Sequence, residues 1–169
     1  MTEKDLATVL EWRNAPEIRR ASFSQHEIRV KEHRAWFEAV SKNPQSHSFI
    51  HLNDEGAADG VVNFTNCKPR AADAFWGFYA APGSPPGTGS RLGLDALDTA
   101  FTDLELHKLN AEVIAANESS LKFHEKLGFV REGTLRDFFF DGNEYHAVHR
   151  LGILEPEWAA ARPRLMERI

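Results

Sequence analysis

Apolar and polar positions along the chain follow a helical period first, then a period of two, then the two in alternation. Leu6, Val9, Leu10 and Arg13 fall at helical spacing and predict a helix over residues 2–13, with Thr2 and Asp5 as its capping pair. Pro16 stops that helix, and Glu17–Arg20 reads as a short further turn. Val30, His33, Trp36, Phe37 and Val40 predict a second helix over Val30–Val40, closed by Asn43-Pro44. The period then becomes two. Ser48–Leu52 and Gly60–Thr65 read as paired strands around a turn at Asn53–Gly56, and Lys68-Pro69-Arg70 as a loop. The aromatic run Ala74–Ala80 is the next strand, followed by a loop of glycine and proline and a helix presenting Leu94, Leu97, Phe101 and Leu104 on one face. Lys108–Ala115 returns to the strand pattern. Asn117 is placed to cap a helix over Glu118–Leu127, which carries an i, i+4 pair in Glu118 and Lys122. Gly128 is suited to the left-handed end of that helix, with Phe129 folding back onto it. Two last strands, Gly133–Phe140 and Glu144–Leu154, join at Asp141-Gly142-Asn143. In the tail, Pro156 can start a helix and Pro163 is expected to interrupt it.

This order predicts an α/β protein with one central sheet. No repeat, low-complexity stretch or dividing linker breaks it, so residues 1–169 are expected to form a single domain. A net charge of −5, without a block of Lys and Arg, argues against nucleic acid as a partner. Cys67 stands alone, which excludes a disulfide framework and a cysteine-based metal site. His146 and His149 lie three apart on a strand and so point to opposite faces; no metal is implied. The polar N-terminus and the lack of a long apolar run predict a cytoplasmic protein with no membrane segment.

The stretch Phe75–Gly89 carries the first hint of chemistry. A strand, a glycine loop and a helix N-terminus together make an anion site, because unpaired helix N–H groups face outward where glycine lets a ligand approach. It is neither a P-loop nor the dinucleotide fingerprint. Three features then coincide: the Pro86-Gly87-Thr88-Gly89 loop, the strand Asn110–Ala115 ending at Asn117, and Ser120-Leu121-Lys122-Phe123-His124-Glu125-Lys126-Leu127-Gly128-Phe129. In this order and spacing the chain resembles the GNAT acetyl-CoA-dependent N-acetyltransferases over nearly its whole length. The Trp12–Arg19 opening resembles two branches of that superfamily. One acetylates ribosomal-protein N-termini; the other, in pseudaminic acid biosynthesis, acetylates the 4-amino group of a UDP-linked 4-amino-4,6-dideoxy sugar. Trp76–Tyr79, Pro86–Ser90, His107–Leu109 and Trp158 look closer to the second.

The resemblance implies the GNAT fold, a mixed and mostly antiparallel sheet flanked by helices. Two departures stand out. Ser84 occupies the usual Gln/Arg place of the loop, and the strand that normally precedes the first helix is missing, which would leave a sheet edge open. It implies acetyl-CoA as co-substrate, with Phe78, Tyr79 and Ala80 along the pantetheine arm. Gly87, Thr88, Gly89 and Ser90 would meet the pyrophosphate, Asn117 the pantetheine, and Lys122 the adenosine phosphate. His124 stands where many relatives carry a tyrosine, and is a candidate acid for the departing thiolate alongside Ser120 and Tyr145. Glu112 and His51 are the candidate bases, and Trp12, Arg13, His33 and His51 the candidate acceptor residues. The expected partner is a small-molecule amine, foremost a nucleotide sugar; a homodimer is compatible with the pattern. A peptide N-terminal acetyltransferase and a non-catalytic acyl-CoA-binding module are the alternatives.

Overall fold

The structure, a computed structural model, describes residues 1–68 and 72–167. A single 3₁₀ turn at Glu3–Asp5 leads into α1 (Leu6–Asn14), then α2 (Pro16–Arg20) and α3 (Val30–Lys42). The Asp5 carboxylate accepts from both the amide and the hydroxyl of Thr2, so the expected capping pair holds the turn and the α-helix proper starts four residues later than the pattern suggests. Six strands follow: β1 (His47–Leu52), β2 (Ala58–Lys68), β3 (Asp73–Ala80), β4 (Lys108–Ile114), β5 (Val130–Phe140) and β6 (Tyr145–Leu154). Between them lie α4 (Thr88–Asp98) and α5 (Glu118–Leu127), and α6 (Glu155–Met166) closes the chain.

The sheet runs β1-β2-β3-β4-β6-β5, antiparallel except between β3 and β4. That parallel junction is the feature that positions the site. Asp73, Ala74 and Phe75 pair with Lys108, Leu109 and Asn110, and no further pairing follows. The buried Asn110 donates its side-chain amide to the Ala74 carbonyl at 3.0 Å where the pairing ends. Beyond it the two strands diverge. No strand precedes α1 among the described residues, and β1 forms the sheet edge.

The main core fills the side of the sheet covered by α4, α5 and α6. Phe64, Leu92, Leu97, Leu109, Leu127, Leu151 and Ile153 are fully buried there, each worth roughly 1.5–3 kcal/mol for removal from water. Gly93 on α4 is required by close approach: a Cβ would meet Phe123 at 2.9 Å and Leu127 at 3.0 Å. Gly128 takes φ +100 and ends α5, and Phe129 buries itself directly after it, as the pattern predicts.

Three expectations need correction. The helix expected to carry Phe101 and Leu104 ends at Asp98 and widens into a π-turn over Thr99–Asp103, which keeps Phe101 and Leu104 against the core. β5 starts at Val130, two residues after the Gly128 cap and three before the expected Gly133, because Val130 and Arg131 pair with Gly152 and Leu151. Pro163 does not interrupt α6. It falls in the last turns, and the helix is anchored by Trp158 and Arg162, which both donate to the Asp98 carboxylate at 2.7–3.0 Å. Of the expected loop Lys68-Pro69-Arg70, Lys68 belongs to β2, and Pro69 and Arg70 lie outside the described residues.

Candidate active site

Where β3 and β4 part, a cleft of about 830 Å³ opens through the sheet. Its walls are Trp76–Ala80 on β3, Ala111 and Glu112 on β4, Asn117, Ser120, Phe123 and His124 around α5, Arg13 of α1, and Phe23 from the connection between α2 and α3. Strand alternation divides β3 between two environments. Trp76 and Phe78 face α5, and Phe75 and Tyr79 face the side of α1 and α2.

On the α5 side the ring of His124 is buried among aromatics. Trp76, Phe123 and Phe129 meet it edge-on at 5.5, 5.9 and 5.0 Å, and Phe78 lies tilted at 5.8 Å. Burial pushes its pKa down, opposed by the hydrogen bond from Nδ1 to the Ser120 carbonyl at 2.7 Å. The ring is therefore held neutral. Its proton sits on Nδ1, and Nε2 keeps the lone pair. Ser120 Oγ lies 3.4 Å from the same nitrogen.

On the opposite side Tyr79 stands beside Arg13, and burial raises the phenol's pKa far above its ordinary value, so it remains a donor. The Arg13 guanidinium donates Nη2 to the Ser24 carbonyl at 2.8 Å, while Nη1 is buried with no partner among the described residues. Glu112 pairs with Arg150, its cross-strand neighbour on β6, and that guanidinium also lies over the Phe75 ring at 4.7 Å. Glu112 is thus held in an ion pair where it stands. Nothing in the sequence alone distinguishes Arg150, the Tyr79 side chain or the splitting residue Asn110. The Glu112–Arg150 pair is legible only once β4 is known to lie beside β6.

The glycine loop begins after Ala80. Gly87 takes φ +96 at the N-cap of α4, a conformation that favours glycine, and Thr88 directly after it is buried. Lys126 of α5 donates to Ser90 Oγ at 2.8 Å and ties the start of α4 to α5. Ser84 reaches back to the Asp59 carbonyl at 3.4 Å. Asn117 caps α5, accepting from the Ser120 amide at 3.1 Å, as expected. Lys122 is exposed and lies 3.7 Å from Glu118, the expected i, i+4 pair.

Other candidates fall elsewhere. Tyr145 is exposed at the β5–β6 hairpin, stacked near Phe140 at 4.9 Å, and does not line the cleft. His33 lies in a groove between α1 and α3, beside Trp36, and is pushed down in pKa mainly by burial. His51 is buried between Asp59 and Asp95. Trp12 is half-buried and is not among the cleft-lining residues. At the hairpin tip, Asp141, Glu144 and His146 bring possible ligand atoms within 4.8 Å of one another, and Asp141 closes the turn by accepting from the Asn143 and Glu144 amides. His149 turns away, to Thr134.

A strand split flanked by a glycine loop and a helix start fits an acyl-CoA thioester: diverging main chains for the pantetheine, helix N–H groups for the pyrophosphate. The GNAT acetyltransferase domain model matches residues 1–130. The chain belongs to this family. It is 29% identical over 128 residues, covering 74% of this chain and 71% of the other, to the SPbeta prophage-derived uncharacterized N-acetyltransferase YokL of Bacillus subtilis. It is 40% identical over 63 residues to a spermidine N(1)-acetyltransferase of Vibrio cholerae, a match that spans 37% of this chain and 36% of that protein. A solved structure of V. cholerae spermidine N-acetyltransferase with CoA and spermine superposes with a TM-score of 0.86 at 25% identity, over 94% of this chain and 95% of that one. The GNAT fold and an acetyl-CoA-dependent N-acetyltransferase acting on an amine follow. No helix among the described residues is long and apolar enough to cross a membrane.

Proposed function

We propose that this GNAT enzyme acetylates the primary amine of a small molecule that also carries an anionic group, with a nucleotide-linked amino sugar as the foremost class. The observation that carries the reading is Arg13: a guanidinium at the cleft wall, one N–H spent on Ser24 and Nη1 buried without a partner. The guanidinium has no carboxylate at ion-pair distance among the described residues, and a phosphate or carboxylate on the acceptor would supply the missing counter-charge.

Acetyl-CoA supplies the activated acetyl group as a thioester. The chain's own contribution is to position the amine and move one proton. In this reading His124 Nε2 accepts the proton that the amine sheds on attack, and returns it to the departing thiolate sulfur. The depressed pKa of His124 keeps the acceptor form populated, and the Ser120 carbonyl fixes the tautomer. Glu112 is left out of proton transfer because Arg150 holds it. The Tyr79 phenol and the Ser120 hydroxyl are the nearby donors for charge developing on oxygen or sulfur.

A polyamine is the second reading. It is favoured by the spermidine acetyltransferases among the relatives and by the exposed Glu17 at the cleft rim. Arg13 opposes a polycation there, and of the two lining carboxylates only Glu17 has no cationic partner among the described residues. The test is CoA release, followed with a thiol reagent, against UDP-4-amino sugars, spermidine and N-terminal peptides. Turnover with the sugar nucleotides supports the first reading. Turnover with spermidine alone replaces it by the second, and tight acetyl-CoA binding without turnover on any amine would make the chain a binding module.

A further inference from the structure

His51 sits away from the cleft, yet it links both flanks of the glycine loop. Its Nδ1 lies 2.5 Å from Asp59 Oδ1, and its Nε2 lies 3.1 Å from Asp95 Oδ2. His51 and Asp59 are both 8% exposed, and Asp95 is open to solvent on α4. Asp59 belongs to β2, and its main-chain carbonyl accepts from the Ala81 amide at 2.8 Å and from Ser84 Oγ at 3.4 Å. Ala81 and Ser84 are the first part of the loop that ends at Gly87. Asp95 lies two turns into α4, the helix that the loop feeds. One imidazole from β1 therefore bridges the side chain of the residue whose main-chain carbonyl holds the beginning of the loop and the helix that receives its end. A carboxylate oxygen thus stands opposite each ring nitrogen.

We propose that His51 is a positioning residue for the pyrophosphate of acetyl-CoA. Resting on the assignment of the Gly87–Ser90 loop to that pyrophosphate, the inference is that the Asp59–His51–Asp95 bridge fixes where the helix N–H groups point. His51 touches neither acyl group nor amine. Its effect acts through the loop and is confined to the half of the ligand that bears the phosphates. The position usually taken by a Gln or Arg side chain is Ser84 here, and Ser84 is itself turned inward onto Asp59. The loop thus depends on its main chain for anion binding, and main-chain donors are only as good as the alignment of the loop that carries them.

The experiment compares the binding of CoA with that of S-acetylpantetheine, which lacks the pyrophosphate, to the full chain by calorimetry, so that no acceptor is needed. His51→Ala is expected to weaken CoA at least fivefold and to leave S-acetylpantetheine within twofold. His51→Gln, which keeps a donor toward one carboxylate, is expected to fall between it and the unaltered chain. Because His51 is buried, the exposed Asp95→Asn serves as a second variant with an unchanged melting temperature and a smaller loss confined to CoA; it alone decides the matter if His51→Ala does not fold. Equal weakening of both ligands, or no weakening of CoA, would overturn the proposal. If CoA binds the unaltered chain no more tightly than S-acetylpantetheine, the loop assignment itself fails, which is a separate result.

Discussion

On one face of β3, Trp76 and Phe78 are packed ring against ring with Phe129, Phe123 and His124, at centroid distances of 4.5–5.8 Å. On the other, Phe75 and Tyr79 look toward Arg13, Glu112 and Arg150, where Glu112 pairs with Arg150 and two guanidinium nitrogens, Arg13 Nη1 and Arg150 Nε, are buried without partners among the described residues. The first face draws on β3, α5 and the residue that follows the α5 cap, and it is settled by ring packing, with Trp76 Nε1 its one buried polar atom without a partner among the described residues. The second gathers residues from α1, β3, β4 and β6, and leaves donors unsatisfied. In the function proposed above, the packed face lies along the thioester and the charged face meets the acceptor. The strand β3 thus separates an apolar environment, which holds the His124 ring, from a charged one, which holds Arg13 and the Glu112–Arg150 pair.

Four changes would break or sharpen this division. Trp76→Ala removes the largest ring of the packed face and is expected to cost about 3–5 kcal/mol in denaturant unfolding, since the cavity cannot refill; a loss below about 1 kcal/mol would show the face to be loosely packed. Arg13→Ala is expected to raise the acceptor KM about tenfold or more, in line with roughly 1.5–3 kcal/mol for a charged hydrogen bond. CoA affinity should be unchanged, and a parallel loss in both ligands would dissolve the two-face distinction. His124→Phe keeps the ring packing and removes the proton carrier, so kcat should fall at least tenfold, about 1.4 kcal/mol of barrier. An unchanged rate would transfer the proton role to Ser120 or Tyr79.

The smallest expected effect concerns pH. His124 has a depressed pKa, mainly from burial, so the folded chain resists taking a proton that the unfolded chain accepts near pH 6.5. Stability is full above that value and falls as pH drops from about 6.5 toward the folded pKa. The turnover limb set by His124 should lie below 6.5 for the same reason. Both slopes should flatten in His124→Phe, as read by melting temperature and by kcat against pH.

Periodicity made most of the fold legible, because half-buried strands and amphipathic helices write their burial into spacing. Asn117, Gly128 and Phe129 could be placed to the residue, since capping is local chemistry. The π-turn after Asp98 and the continuation of α6 through Pro163 could not, because both depend on what packs against them. The site divides the same way. His124, Ser120 and Asn117 lie on one continuous motif and were found together. His33 and His51 share the right chemistry with an acceptor pocket but are carried to other places by α3 and β1. Nothing near Arg150 in the chain reveals that it faces Glu112 on the neighbouring strand.

Because β3 and β4 exchange backbone pairs at only three positions, the middle of the sheet is also its thinnest seam. A ligand that runs along this seam adds bonds to the folded chain and none to the unfolded one. At a concentration one hundred times its dissociation constant, that linkage amounts to about 2.7 kcal/mol. The sheet is then partly made of metabolite. Melting temperature, protease resistance and lifetime in the cell would all rise and fall with the supply of acyl-CoA, so that the abundance of the enzyme follows the abundance of what it consumes.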